Sequence, residues 1–178
     1  MNRSEFLIDW LDTVTEQISR ELDGLSAEQL AWQPDERANS IAVTAWHCAR
    51  WFDLTATQVL EGKPQSDELW YQAGWAARTG YDPTGIGFGG LGAITGYTWD
   101  EVLAIPALES QQYGDYLRTA SARLAVALQQ AGPGGLEAPA KLGQGDPAHV
   151  WVKRVLIGIT AHLGEIRTLK GIQERAST

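Results

Sequence analysis

The chain has 178 residues, enough to bury a sizeable core without disulfides or metal staples, so a single domain over residues 1–178 is expected. Its net charge of −8 excludes a nucleic-acid backbone or an anionic membrane as the main partner, because both select a basic surface. One cysteine, Cys48, allows no internal disulfide, and the amphipathic start MNRSEFLIDW does not read as a signal peptide, so a reduced, cytoplasmic setting is expected.

Ser4 is the first candidate cap, opening a helix whose apolar residues Leu7, Leu11, Val14, Ile18 and Leu22 recur every three or four positions until Asp23-Gly24. Ser26 and Gln29 have capping-box spacing for a short turn that Pro34 stops. From Ser40 the run IAVTAWHCARWFDLTATQVLEGKP predicts a second long helix to about Glu61, with Gly62 and Pro64 as stop signals. Residues 63 to 97 hold YDPTGIGFGGLGAITGY, too rich in glycine for regular structure, and are expected to be largely irregular and to rim one end of the fold.

Thr98 and Glu101 form another capping-box pair, and after Pro106 the positions Tyr113, Leu117, Ala120, Leu124 and Leu128 predict a third long helix that GPGG ends. Asp146-Pro147 then opens a fourth, running through Val150, Val155, Ile159, His162, Ile166 and Leu169. No strand signal competes, and no apolar run reaches the ~18 residues needed to span a bilayer. The expected class is all-α, a four-helix bundle with a long glycine-rich loop between helices two and three.

Only three histidines, His47, His149 and His162, are present to be weighed as ligands or acid–base groups. His149 and His162 lie on one helix about 20 Å and roughly 140° apart, so they cannot share a ligand, and His149 reads as a surface residue of the first turn. His162 falls on the apolar stripe with Ile159 and Ile166, and His47 lies beside Val43, Trp51 and Leu54. Two inward histidines on different helices are how bundles build internal metal or acid–base sites, although two separately hydrogen-bonded core histidines give the same pattern.

Two sharper signals fade on inspection, and a third leaves candidate residues. Gly87, Gly89 and Gly92 satisfy G-x-G-x-x-G but follow no predicted strand, so a dinucleotide site is rejected. Cys48, next to His47, points about 100° away from it and reads as a buried small hydrophobe. Trp46 and Trp51, flanking His47, together with Phe88, Tyr97 and Trp99 from the loop, are candidate pocket-lining residues for a small-molecule partner.

The pieces LSAEQLAWQP, NSIAVTAWHCARWFD, GYTWDEVLAIPAL and HLGEIRTLKG resemble the DinB-like four-helix bundle proteins, which are related to bacterial thiol-dependent S-transferases and maleylpyruvate isomerases. The resemblance implies a divalent metal, zinc or nickel, held by one histidine of the second helix and two, four residues apart, on the last. His47 matches the first and His162 the later of the pair, while Gly158 replaces the earlier one. With Glu165 as a third ligand, His47, His162 and Glu165 make a candidate metal site; without it, two imidazoles hold metal weakly or not at all. The resemblance also implies a low-molecular-weight thiol as cofactor and a homodimer. Three functional readings stay open: a metal-dependent transferase or hydrolase, a non-catalytic small-molecule-binding module, and a structural homodimer.

Overall fold

Asn2 opens the first helix, α1 (Arg3–Leu22), by accepting the Glu5 backbone N–H at 3.0 Å while the Glu5 carboxylate accepts the Asn2 N–H at 2.8 Å. Ser4, the candidate from sequence, does not cap: three residues after it stands Leu7, a core residue, where a capping box needs Glu or Gln. Ser4 is instead buried inside the helix, on the face that carries Leu7, Leu11 and Ile18. The computed structural model of the protein describes residues 2–143 and 145–176.

The Ser26 and Gln29 box caps a short helix, α2 (Ala27–Ala31), and the Ser40 hydroxyl accepts the Val43 N–H at the start of α3 (Ile41–Leu54). The second long helix reaches the expected length, but its last six residues, Thr55–Leu60, widen into a π-helix before Gly62 turns the chain at φ +68°. That widening leaves the buried hydroxyls of Thr55 and Thr57 without a protein partner. Because an unsatisfied buried hydroxyl costs ~1–3 kcal/mol, Thr57→Val, which keeps the shape and removes the donor, is expected to raise the urea midpoint by the equivalent of about 1 kcal/mol. A lowered midpoint would mean that the hydroxyl is satisfied in solution.

Residues 63 to 97 are more ordered than their glycine content predicts. They contain a 3₁₀ turn at Gln65–Asp67 and two short helices, α4 (Leu69–Gln72) and α5 (Trp75–Thr79), and from Gly80 to Tyr97 there is no α-helix. The cap that sequence could not show is tertiary: the Asp53 carboxylate, on α3, accepts the Leu69 and Trp70 N–H groups at 2.8 and 2.9 Å.

Thr98 and Glu101 cap α6 (Trp99–Leu103), and α7 (Ser110–Glu137) follows. Gly132, at φ +57°, interrupts α7 just before Pro133, so GPGG ends the straight run and one further turn continues to Glu137. The last helix, α8, spans Ala148–Ala176. Here Asp146 does not act as the expected cap, because its carboxylate pairs with Arg154 and the Ala148 N–H is taken by the Ala138 carbonyl.

Among the described residues there is no β-strand, only an isolated bridge between Pro139 and Pro147, and no helix long and apolar enough to cross a membrane. Helices α1 and α3 each pack against both α7 and α8, with Leu11, Ile18, Phe52, Leu117, Leu124 and Ile166 in one shared core. The α3–α8 contact is the one that positions the site.

Candidate functional site

Across that contact the rings of His47 and His162 lie with centroids 4.7 Å apart, nearly perpendicular at 86°. His47 Nδ1 is 2.7 Å from the Ala93 carbonyl, which can only accept, so this nitrogen carries the hydrogen. His162 Nδ1 is 2.7 Å from the Glu165 carboxylate and donates in the same way. Each ring therefore commits Nδ1 to an orienting partner and keeps Nε2 as its free acceptor. His149 is engaged elsewhere, its Nδ1 on the Leu136 carbonyl at 2.9 Å.

Burial, then the neighbouring His162, holds the His47 imidazole down to about 4 from its ordinary 6.5. The hydrogen bond from His162 holds the Glu165 carboxyl below its usual range against the opposing effect of burial. A neutral, buried His47 has a consequence for acid stability. Above pH 6.5 neither the folded nor the unfolded chain protonates it, whereas between 6.5 and 4 only the unfolded chain does, so stability falls as pH drops through that window. At ~1.4 kcal/mol per pH unit, and allowing for a ring partly open to a cavity, the loss should be about 2 kcal/mol. Urea unfolding at pH 7 and pH 4.5 should show this fall in the wild type and a smaller one in His47→Gln; equal falls would assign the loss to other groups.

A cavity of 320 Å³ opens beside the two imidazoles. Its walls are mainly apolar, with Trp51 from α3 and Trp151, Val155 and Ile159 from α8, and Arg154 stands among them as the only charged one of the described residues. Gly158 also faces it, and a Cβ built there would meet nothing within 4 Å. Trp151, Val155, Ile159 and His162 follow one another at four- and three-residue steps, and Gly158 lies four before His162, so α8 presents them on one side. Trp151 and Arg154 were not singled out from sequence, although counting back from His162 in helical steps reaches Trp151.

Several candidate lining residues lie elsewhere. Trp46 is fully buried in the core with its ring edge-on to Trp70 and Tyr81, because adjacent helix positions diverge by about 100° and only His47 turns toward α8. Phe88 is 73% exposed and borders a neighbouring cleft rather than the cavity. Tyr97 accepts a hydrogen bond from Tyr81, and neither it nor Trp99 lines the cavity. Cys48 is fully buried, and burial pushes its thiol far up, away from reactivity.

The sequence matches the family model of the DinB superfamily over residues 11–164. The chain belongs to the DinB superfamily. A solved structure described as a conserved protein from Enterococcus faecalis shares its fold, with a TM-score of 0.77 over 95% of each chain at 20% identity. Comparison with curated proteins finds no match.

For this DinB protein the donor set does not fit a closed metal centre. His47 and His162 supply two Nε2 acceptors, the turn where a third imidazole would stand carries Gly158 and open space, and Glu165 spends its carboxylate orienting His162. Among the described residues no group of three or more His, Cys, Asp or Glu could hold a metal ion. What the arrangement offers instead is a pair of fixed, hydrogen-bond-accepting imidazoles at a largely apolar wall.

Proposed function

We propose that this DinB protein binds a small molecule in the His47–His162 cavity and acts on it as a transferase or hydrolase through acid–base chemistry. The supporting observation is the commitment of both Nδ1 atoms, which leaves two Nε2 acceptors beside an apolar cavity. In this reading His162 Nε2 takes the proton of a thiol or water, whose freed electron pair attacks the bound electrophile, and the imidazolium returns that proton to the leaving group. Glu165 is a positioning residue that fixes the His162 ring through its Nδ1 hydrogen bond, as carboxylates do for imidazole bases. His47 stays neutral and accepts a second hydrogen bond.

Helices α1, α3, α7 and α8 are read as the four-helix bundle of the family, with the glycine-rich segment covering one end. A cytoplasmic homodimer goes with the family resemblance and with exposed Phe6 on α1 and Ile157 on α8. A monomer mass by light scattering at high concentration would remove the dimer.

The enzymatic reading is tested with p-nitrophenyl acetate, with and without 2-mercaptoethanol, in the presence of EDTA. Turnover above buffer that survives EDTA and drops at least about tenfold in His162→Asn is expected, since a positioned base contributes ~10²–10⁴. Ligand binding without turnover would favour the alternative, a non-catalytic small-molecule-binding module.

A further inference from the structure

The imidazole cavity does not end at its own walls. Trp151 and Arg154 also border a second cleft of 380 Å³, formed by Phe88 and Leu91 of the glycine-rich loop and Leu142 of the turn before α8. The inner cavity alone is at the lower end of the ~300–1,000 Å³ that small-molecule sites occupy. The two spaces share one indole and one guanidinium, and the chemistry changes along them in a definite order. At the inner end stand two hydrogen-bond acceptors, the Nε2 atoms. At the junction stands Arg154, among the described residues the only cation lining either space. At the outer end the lining is apolar apart from Asp146, the partner of Arg154, and includes a phenylalanine that is 73% exposed.

Arg154 pairs with Asp146 at 2.6 Å, with the two side chains 60% and 48% exposed. A pair that open to solvent is held weakly, so a ligand anion can displace the Asp146 carboxylate from the guanidinium at little cost. The outer cleft is built onto the inner one: Gly143, at φ +108°, lies so close to the Trp151 ring that a Cβ would sit 2.6 Å from Cζ2. The turn that carries Leu142 is thereby seated against the wall of the inner cavity.

We propose that the two spaces form one binding site for an amphipathic anion. Its hydrogen-bond-donating head sits against His47 and His162, its carboxylate on Arg154, and its apolar tail across Trp151 toward Leu91, Leu142 and Phe88. N-acyl amino acids with a small polar side chain have this order of groups. The inference deepens the functional reading above and rests on its use of the inner cavity.

Calorimetric titration with four probes tests each part: N-octanoylserine, N-acetylserine without the tail, N-octanoylalanine without the donating head, and N-octanoylserinol without the charge. N-octanoylserine is expected to bind at least tenfold tighter than N-acetylserine and at least threefold tighter than either of the others. Arg154→Gln should abolish the preference for the carboxylate over the serinol, and Phe88→Ser, at an exposed position that does not endanger the fold, should reduce the gain from the tail. Equal affinity for the acetyl and octanoyl compounds, or a carboxylate preference unchanged in Arg154→Gln, overturns the two-part site. If that happens while p-nitrophenyl acetate is still turned over in a His162-dependent way, the inner-cavity chemistry stands without it. No binding of any of the four probes overturns the proposal as well.

Discussion

Gly158→His is expected to raise the affinity for zinc at least tenfold, about 1.4 kcal/mol, over a wild type that binds zinc or nickel weakly. The position lies one turn before His162 on the same side of α8, the geometry by which a helix offers two adjacent imidazoles. Nothing lies within 4 Å of the Cβ that the substitution introduces, so the new side chain enters the cavity without displacing a wall. Replacing a mid-helix glycine also favours the helix by several tenths of a kcal/mol, which makes misfolding an unconvincing explanation of any failure. The gain should vanish when His47→Ala is added, because α3 supplies the third nitrogen. Calorimetric titration of the three proteins decides it: tight, stoichiometric zinc in the wild type would show that another donor already completes the site.

Arg50→Ala should lower stability by about 3–5 kcal/mol, the usual cost of stranding a buried charge. Its guanidinium is fully buried, with Nη2 donating to Glu68 Oε2 at 2.6 Å, Nη1 to the Tyr116 hydroxyl at 3.3 Å and Nε to the Gly92 carbonyl at 3.0 Å. Asp53 is also fully buried, 3.6 Å from the same guanidinium and 3.8 Å from Arg123, so Glu68 loses its counter-charge and Asp53 loses one of two. For a chain of this size the loss corresponds to roughly 10 °C or more in melting temperature. Calorimetry on Arg50→Ala and on Glu68→Gln, which keeps the hydrogen-bonding shape, separates charge from packing: the first should fall much further than the second. A change of less than 1 kcal/mol in Arg50→Ala would mean that the carboxylates are neutralised in some other way.

The long helices were legible because the signals that face and stop them are local, and the capping boxes that could be read open the short helices α2 and α6. Leu7, Leu11 and Ile18 repeat at helical spacing, Ser26 with Gln29 and Thr98 with Glu101 form the boxes that their spacing predicts, and Gly62 and Gly132 mark breaks. What escaped the sequence was decided across the chain. The start of α4 is capped by Asp53, some 16 residues earlier, and no local pattern announces a cap from another helix. The DinB assignment rested on short motifs, and the family match supports it over residues 11–164.

At the site, His47 and His162 could be singled out because each fell on an apolar stripe where a polar ring is conspicuous. Trp46 was misplaced because adjacency in sequence was taken for adjacency in space; it packs against Trp70 and Tyr81. Arg154 was overlooked because a charged residue on the polar side of a helix looks like a solvated one until the neighbouring loop closes beside it. Glu165 was visible, but whether a carboxylate coordinates or orients depends on one 2.7 Å contact that sequence does not encode.

Two consecutive carbonyls of the glycine-rich loop, those of Gly92 and Ala93, are gripped by Arg50 and His47, which stand three residues apart on α3. Both grips are to backbone atoms, so the alignment of the His47 ring does not depend directly on the side chains the loop displays, apart from Gly87, Gly92 and Gly96, where a Cβ would stand 2.7 Å from the Thr95 oxygen, 2.5 Å from the Pro83 oxygen and 2.8 Å from the Phe88 nitrogen. The exposed residues of the loop, Phe88 foremost, are therefore interchangeable without disturbing the imidazole. A scaffold wired in this way can vary the surface it displays while its pair of imidazoles stays in place, and loop libraries that keep residues 87, 92, 93 and 96 fixed would sample new surfaces on a constant frame.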